Sequence, residues 1–220
     1  MDAVPSRGSH NPVRVERRRG NVFRVGAGAG TMASTTPADP GGFVVWFEGL
    51  AGSGKTTLSR AAAAQLRARG WKVEVLDGDE LRHVFSPELG FTRRDREVHA
   101  RRVSYVAHLL ARNGVAVMVA MITPYETSRQ AARSEVGPRF EEVWLECPIE
   151  VCQQRDPKGI YRRTAEGAVS HMTGVDDPFE EPLNPELTVD TSVTNVEDAT
   201  RRVLQHLRDR GLIQPDRTER

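Results

Sequence analysis

The sequence predicts a three-layer α/β fold in which a mainly parallel sheet carries helices on both faces. Two observations indicate this class: short apolar β-prone segments alternate with helical segments, and the first of them runs into a glycine-rich loop followed by a helix. The 220 residues are 38% hydrophobic and 28% charged, which is ordinary for one folded domain. The formal net charge of +1 gives no reason to expect a general affinity for nucleic acids or membrane surfaces.

The first element is a strand over residues 43–47, and a glycine-rich loop separates it from a helix over residues 58–69. The loop has the spacing G-x-x-x-x-G-K-[ST] in the strand–loop–helix context of a phosphate-binding loop, which indicates the fold of a P-loop NTPase. Glycines let backbone N–H groups turn toward phosphate oxygens, and the helix adds the positive end of its dipole. The residues predicted to bind ATP are Gly49, Leu50, Ala51, Gly52, Ser53, Gly54, Lys55, Thr56 and Thr57.

Two residues of this loop have distinct chemical roles. The Lys55 ammonium is a compact charge that reaches the β- and γ-phosphates, and the Thr56 hydroxyl is a ligand for the Mg²⁺ that accompanies ATP. The chain has 28 Arg but only three Lys, which are Lys55, Lys72 and Lys158. The retention of Lys55 and Lys158 in so Arg-rich a chain is a modest further indication that both are functional.

The remaining elements continue the alternation. Strands are predicted over residues 72–76, 115–120 and 142–146, and helices over residues 92–112, 125–136, 149–155 and 196–210. Because ligands of parallel sheets bind beyond the carboxyl ends of the strands, the residues that directly follow each strand are the candidates for a site.

Polar side chains follow the second and third strands. Asp77 and Asp79 flank a glycine beside the phosphate loop, where they suit Mg²⁺ binding through water and acceptance of a proton from an attacking hydroxyl. The alternative is a turn in which an Asp only caps the next helix. Thr123 precedes Pro and Tyr at the start of a helix, where its hydroxyl either caps that helix or contacts the acceptor.

Segments of different composition bound the domain. Residues 1–40 are rich in Arg, Gly and Pro, so a disordered basic tail is expected, with a solvated arm favoured over one that binds polyanions. The folded domain is predicted to span residues 41–212, and residues 213–220 a C-terminal tail. Residues 156–185 are rich in Gly, Pro and charge and lack regular periodicity, which predicts a lid that closes over the site, with Lys158 at its base.

The chain has two cysteines, Cys147 and Cys152, which excludes a disulfide-rich secreted scaffold and, without further Cys or His nearby, disfavours a zinc site. Reduced, buried thiols indicate a cytoplasmic protein. No apolar run approaches the ~20 residues that span a bilayer, and no apolar segment follows the basic N-terminus as it would in a secretory signal.

Residues 41–212 resemble adenylylsulfate kinase (APS kinase) over essentially the whole predicted domain. Beyond the phosphate loop, the specific matches are DGDELR at residues 77–82, LGFTRRDR at 89–96, DPKGIY at 156–161 and TGVDDPFE at 173–180. The resemblance implies ATP-dependent phosphorylation of the 3′-hydroxyl of adenosine 5′-phosphosulfate (APS), with Mg²⁺, to give 3′-phosphoadenosine 5′-phosphosulfate (PAPS) and ADP. It also implies a homodimer and a functional association with ATP sulfurylase.

Carried over position by position, the resemblance implies that Asp79 is the base for the 3′-hydroxyl and that Asp77 assists it or holds Mg²⁺ with Thr56. Arg82 and Arg96 would bind the phosphosulfate, and Phe91 and Phe179 would sandwich the adenine. Ile122 would supply a backbone contact, and Lys158 at the base of the lid would complete the site.

Four positions depart from the family pattern. His99 replaces an Asn that contacts the substrate, and it stays a substrate-binding candidate because it can form hydrogen bonds. Thr123 replaces a Ser and keeps the hydroxyl, so it stays a catalytic candidate. Glu126 stands where a cation is usual, and Glu80 where Asn is common. Because these changes concern the acceptor, two alternatives stay open: a P-loop kinase for another hydroxyl acceptor, and a weakly active regulatory nucleotide-binding domain.

Overall fold

The computed structural model describes residues 41–168 and 170–214, in which five strands and seven helices follow one another. The elements are β1 (Phe43–Glu48), α1 (Lys55–Ala68), β2 (Val73–Asp77), α2 (Gly78–Phe85), α3 (Arg93–Ala111), β3 (Ala116–Ala120), α4 (Glu126–Val136), β4 (Phe140–Glu146), α5 (Ile149–Arg155), α6 (Ile160–Ala165), β5 (Leu187–Asp190) and α7 (Val196–Asp209).

The strands form one parallel sheet in the order β2-β3-β1-β4-β5. The central strand β1 is buried along its whole length, and its side chains alternate between the two faces. Phe43, Val45 and Phe47 pack against α1 and α7, whereas Val44 and Trp46 pack against α3 and α4. This arrangement confirms the predicted three-layer α/β fold.

The predicted strands and helices are all present, with ends displaced by at most three residues. Three short elements were not predicted, namely α2, α6 and β5. The α2 helix starts directly at the end of β2, because the Asp77 carboxylate accepts a hydrogen bond from the Asp79 N–H and caps it. The α6 helix lies inside the expected lid, where the Asp156 carboxylate accepts from the N–H groups of Ile160 and Arg162.

The packed core extends one residue beyond the predicted C-terminal boundary of the domain. Ile213, which the sequence assigned to a tail, is only 4% exposed and packs with Leu212 against the α1 and α7 side of the core. The expected basic tail over residues 1–40 and the chain from residue 215 onward lie outside the described residues. Within those residues, no helix is both long enough and apolar enough to cross a membrane.

Candidate active site

The phosphate loop connects the buried end of β1 to α1 and is shaped by glycines. Gly52 has a φ of 80°, and a Cβ atom at this position would lie 2.8 Å from the Cys152 carbonyl oxygen, so only glycine fits. Gly54 precedes α1 with a φ of 96°, and no side chain caps the first turn of the helix. The N-terminal N–H groups of α1 are therefore available to an anion.

Lys55 lies in the first turn of α1 and is almost fully buried. Its Nζ donates to the carbonyl oxygens of Gly49 at 2.9 Å and Leu50 at 2.6 Å. Burial lowers the pKa of Lys55 to about 8, and the more distant Asp79 and Asp77 carboxylates only partly offset this effect. A phosphate anion beside Lys55 would supply the missing counter-charge.

Thr56 and Asp77 are joined across the mouth of the sheet, because the Thr56 hydroxyl donates to Asp77 Oδ2 at 2.8 Å. The other Asp77 oxygen accepts from the N–H of Asp79 at 3.0 Å. Asp77 therefore caps α2, and the same carboxylate also faces the first turn of α1.

The structure brings Asp79 together with Lys158, which lies 79 residues away at the base of the expected lid. The Lys158 Nζ donates to Asp79 Oδ2 at 2.5 Å. Burial by itself would raise the pKa of Asp79, but the hydrogen bond and charge of Lys158, together with Lys55 and Arg82, outweigh it and lower the pKa. Asp79 is therefore an ionised acceptor, and 68% of its side-chain surface is open to solvent.

A second group of predicted residues surrounds the Phe91 ring. The guanidinium carbons of Arg82 and Arg96 lie 4.8 Å and 5.4 Å from its centroid. Arg96 also donates to the carbonyl oxygen of His171 at 2.6 Å, which joins this wall to the middle of the expected lid. Burial and the charge of Arg96 lower the pKa of Arg82, as expected for two cations held together. The cluster suits a ligand with an aromatic ring and a multiply charged anionic group.

Two predicted residues lie outside the main cavity. Thr123 is 1% exposed and outside the cavity, and its hydroxyl accepts from Trp46 Nε1 at 2.8 Å, so its position does not support a catalytic role. Phe179 lines a separate cavity of about 210 Å³ with Leu50 and Trp144, so the structure does not place it opposite Phe91. The catalytic role of Thr123 and the adenine contact of Phe179 therefore stay predictions that this arrangement does not support.

His99 lines the main cavity, but both of its ring nitrogens already have protein partners. Nδ1 lies 2.9 Å from the Ser86 hydroxyl and Nε2 lies 3.0 Å from the Gly78 carbonyl oxygen. Burial and the charge of Arg82 lower the pKa of His99 to about 4, although its bond to Gly78 opposes the shift. A direct hydrogen bond to substrate would require His99 to give up one of these partners.

The two acidic departures face away from the cavity. The Glu126 carboxylate accepts from Arg129 Nη2 at 2.6 Å and from Gln130 at 2.7 Å. Glu80 pairs with Arg60 on the surface at 2.7 Å. Neither carboxylate is among the residues that line the main cavity, so neither opposes an anionic acceptor.

One cavity of about 770 Å³ joins these groups. It is lined by the phosphate loop from Ala51, by Asp77 and Asp79, by Ile122, and by the Phe91 cluster. It also contains residues that the sequence did not single out: Arg155, His171, Met172, Thr191, Asn195 and Val196. Three of them follow β5, and prediction of that strand would have identified them by the same rule that found Asp77.

Comparisons with known proteins identify the family of this chain. A sequence model of the adenylylsulphate kinase family matches residues 41–190. The adenylyl-sulfate kinase of Synechococcus sp. (strain JA-3-3Ab) is 48% identical over 173 residues, which cover 79% of this chain and 98% of that protein. The adenylyl-sulfate kinase of Myxococcus xanthus (strain DK1622) is 49% identical over 175 residues, or 78% of this chain and 94% of that protein.

A solved structure shares the fold as well. The Mycobacterium tuberculosis APS kinase CysC, determined in complex with AMPPNP and APS, superposes with a TM-score of 0.74 and 38% identity. The match covers 77% of this chain and 99% of that one. The chain described here belongs to the adenylylsulfate kinase family.

Proposed function

We propose that this protein transfers the γ-phosphoryl group of ATP to the 3′-hydroxyl of adenosine 5′-phosphosulfate and releases PAPS and ADP. The observation that carries the proposal is the layout of the main cavity, which offers a place for one nucleotide on each side of the phosphate loop. The loop follows the central strand β1, whereas Asp77 ends the edge strand β2 and Thr191 follows the opposite edge strand β5. These edges are four strand spacings apart, or about 19 Å.

The two sides differ in chemistry. Beyond β5, Asn195, Val196 and Ala199 offer polar and small apolar surface without a carboxylate, which suits the base of ATP with its phosphates on the loop. Beyond β2, Phe91 and the two arginines offer a ring and two guanidinium groups, which suit an adenine and a phosphosulfate. A phosphoryl group held between them at Lys55 would lie within reach of both nucleotides.

The oxygens of Thr56 and Asp77 fit a Mg²⁺ ion that travels with ATP. Both are hard oxygen donors at the mouth of the sheet, 2.8 Å apart. The described residues hold no cluster of three or more His, Cys, Asp or Glu side chains that could bind a metal by themselves. Phosphates and water would therefore complete the coordination, which is usual for Mg²⁺. The bound ion would neutralise charge on the β- and γ-phosphates during transfer.

Asp79 is the proposed base. The 3′-oxygen forms a bond to the γ-phosphorus while the bond from that phosphorus to the β,γ-bridging oxygen breaks, and the hydroxyl proton passes to the Asp79 carboxylate. The Lys158 ammonium, 2.5 Å from Asp79, keeps this carboxylate ionised and able to accept the proton. We further propose that Lys158 contacts the phosphoryl group once both substrates are bound.

The test is a coupled assay of ADP release with ATP and Mg²⁺, in which APS is compared with AMP and with other hydroxyl compounds as acceptors. APS is expected to stimulate ADP release and to give a product that carries the new phosphate on the 3′-oxygen, as located by NMR. Two results would contradict the proposal: ATP hydrolysis that APS does not stimulate, and faster turnover of a different acceptor.

Domain organisation and assembly are proposals of the same kind. We take residues 41–213 as the kinase domain and residues 156–185 as its lid, and we propose a cytoplasmic homodimer that works beside ATP sulfurylase. An APS kinase from Thiobacillus denitrificans is hexameric, and a Sorangium cellulosum relative is a probable bifunctional SAT/APS kinase, so oligomers and bifunctional chains occur among similar proteins. Light scattering of the purified chain tests the oligomeric state.

A further inference from the structure

A chain of hydrogen bonds crosses the interior behind the acceptor side of the cavity. Arg102 Nη1 donates to the Ser86 hydroxyl at 3.2 Å, Ser86 Oγ lies 2.9 Å from His99 Nδ1, and His99 Nε2 lies 3.0 Å from the Gly78 carbonyl oxygen. Ser86 is fully buried and His99 is 2% exposed, so bulk water does not compete for these bonds.

The direction of every bond in this chain is fixed by its two ends. The Gly78 carbonyl can only accept, so His99 Nε2 must carry the hydrogen. The neutral ring then leaves Nδ1 bare, and Nδ1 accepts from the Ser86 hydroxyl. The Ser86 oxygen in turn accepts from Arg102, which can only donate. One tautomer of His99 satisfies all members, and the low pKa of the ring agrees with it.

The chain ends on the peptide group that carries the proposed base. The carbonyl of Gly78 and the N–H of Asp79 belong to the same planar peptide unit. His99 holds the oxygen of this unit, and the Asp77 carboxylate holds its N–H at 3.0 Å. Gly78 packs closely against Met121. A Cβ atom at position 78 would lie only 2.5 Å from the Met121 Cγ. The peptide is therefore clamped on both edges.

We propose that His99 is a positioning residue for phosphoryl transfer, which orients the Gly78–Asp79 peptide and through it the Asp79 carboxylate, while Ser86 fixes the ring. This inference rests on the proposed role of Asp79 as the base. It differs from the expectation that His99 contacts the substrate, because both ring nitrogens are used inside the protein. Small displacements of a catalytic group are costly, so loss of the clamp acts mainly on kcat.

Three single variants separate positioning from direct contact. His99→Leu keeps most of the side-chain volume but removes both hydrogen bonds, and it is expected to lower kcat about 10- to 100-fold with the KM for ATP unchanged. His99→Gln places an amide N–H near the Nε2 position and is expected to recover part of that loss. Ser86 does not line the main cavity, and Ser86→Ala is expected to lower kcat about threefold to tenfold.

Two controls exclude a merely structural effect. Ser104→Ala removes another buried hydroxyl from α3, one that donates to the Arg101 carbonyl oxygen rather than to this chain, and it is expected to leave kcat unchanged. In an Asp79→Asn background, His99→Leu is expected to cause no further fall in kcat, because the group that His99 positions has already been lost. Thermal melts show that each variant is folded at the assay temperature.

Two results would overturn the inference. The first is a Ser86→Ala variant with unchanged kcat together with a His99→Leu variant that raises only the KM for APS, which is the signature of direct substrate contact. The second is full additivity of the kcat losses of His99→Leu and Asp79→Asn. If the wild-type enzyme prefers another acceptor, the proposed function fails, but the same variants measured with that acceptor still test whether His99 positions Asp79.

Discussion

Glu48→Gln is expected to change how the stability of this protein depends on pH. Glu48 ends β1 directly before the phosphate loop and is fully buried. Its nearest cation is Arg129, whose Nε lies 3.4 Å from Glu48 Oε2. Arg129 also forms ion pairs with Glu126 and Glu142. Burial raises the pKa of Glu48 to about 10, because Arg129 offsets it only in part and Glu142 adds to it.

The hydrogen-bond geometry supports the same protonation state. Both Glu48 oxygens and Glu142 Oε1 are buried without a donor when both carboxyls are ionised. A proton on Glu48 that is donated to Glu142 Oε1 would give two of these three oxygens a partner. One retained proton therefore accounts for the raised pKa and for two of the three orphan oxygens.

The raised pKa of Glu48 determines how the free energy of unfolding changes with pH, because folding and proton binding are linked. A carboxyl whose pKa is higher in the folded state contributes most to stability below its unfolded pKa of about 4.5, and this contribution is lost as pH rises toward 10. Between pH 5.5 and pH 8.0 the wild-type chain should lose about 3 kcal/mol through Glu48 alone. The Glu48→Gln side chain keeps the shape of Glu48 but binds no proton. The free energy of unfolding of this variant, relative to that of wild type, should therefore rise by about 3 kcal/mol from pH 5.5 to pH 8.0.

Urea unfolding followed by tryptophan fluorescence at the two pH values measures this difference. Comparing the variant with wild type at each pH cancels the other titrating groups. Glu135→Gln, an exposed change on α4, is the matched control and should give the same difference at both values. A Glu48→Gln difference that is equal at pH 5.5 and 8.0 within about 0.5 kcal/mol would show that Glu48 is ionised beside Arg129 and refute the reasoning.

Three further substitutions test the site. Asp79→Asn should lower kcat about 10²- to 10⁴-fold with the KM for ATP retained, whereas Glu80→Gln beside it should not. Thr123→Val should cost about 1–3 kcal/mol in urea unfolding, because Trp46 Nε1 loses its acceptor, and a kcat loss above tenfold would restore the catalytic reading. Gly52→Ala should raise the KM for ATP, whereas Gly167→Ala, at a φ of 73° with open space around it, should not.

Much of the active site could be predicted because its residues follow strands in a parallel sheet. The phosphate loop, Asp77 and Asp79 were found in this way, and parallel pairing from β2 to β4 brings them to one edge. The rule failed beyond β5, since this strand has only four residues and its end gives a weak periodic signal. The residues after β5 at the proposed ATP side were therefore missed.

Side-chain direction could not be predicted from residue type. Thr123 and Phe179 had the chemistry expected at the site, yet one binds Trp46 in the interior and the other lines a separate cavity. Their neighbours come from β1 and β4, which are distant along the chain, so local sequence holds no sign of the contact. Met172 lines the main cavity instead, and its side chain carries no chemical signal that distinguishes it from a core residue.

Because the sequence does not show side-chain direction, the departures from the family pattern suggested a changed acceptor. Glu126 is neutralised by Arg129 outside the cavity, and His99 is a neutral ring held by Gly78 and Ser86. Besides the Asp79–Lys158 pair, the guanidinium groups of Arg82 and Arg96 face the acceptor side, and no carboxylate binds them directly in the described residues. An acceptor without a multiply charged anionic group would leave this pair unneutralised in a half-buried wall. The electrostatics of the site therefore favour a phosphosulfate over a neutral hydroxyl compound.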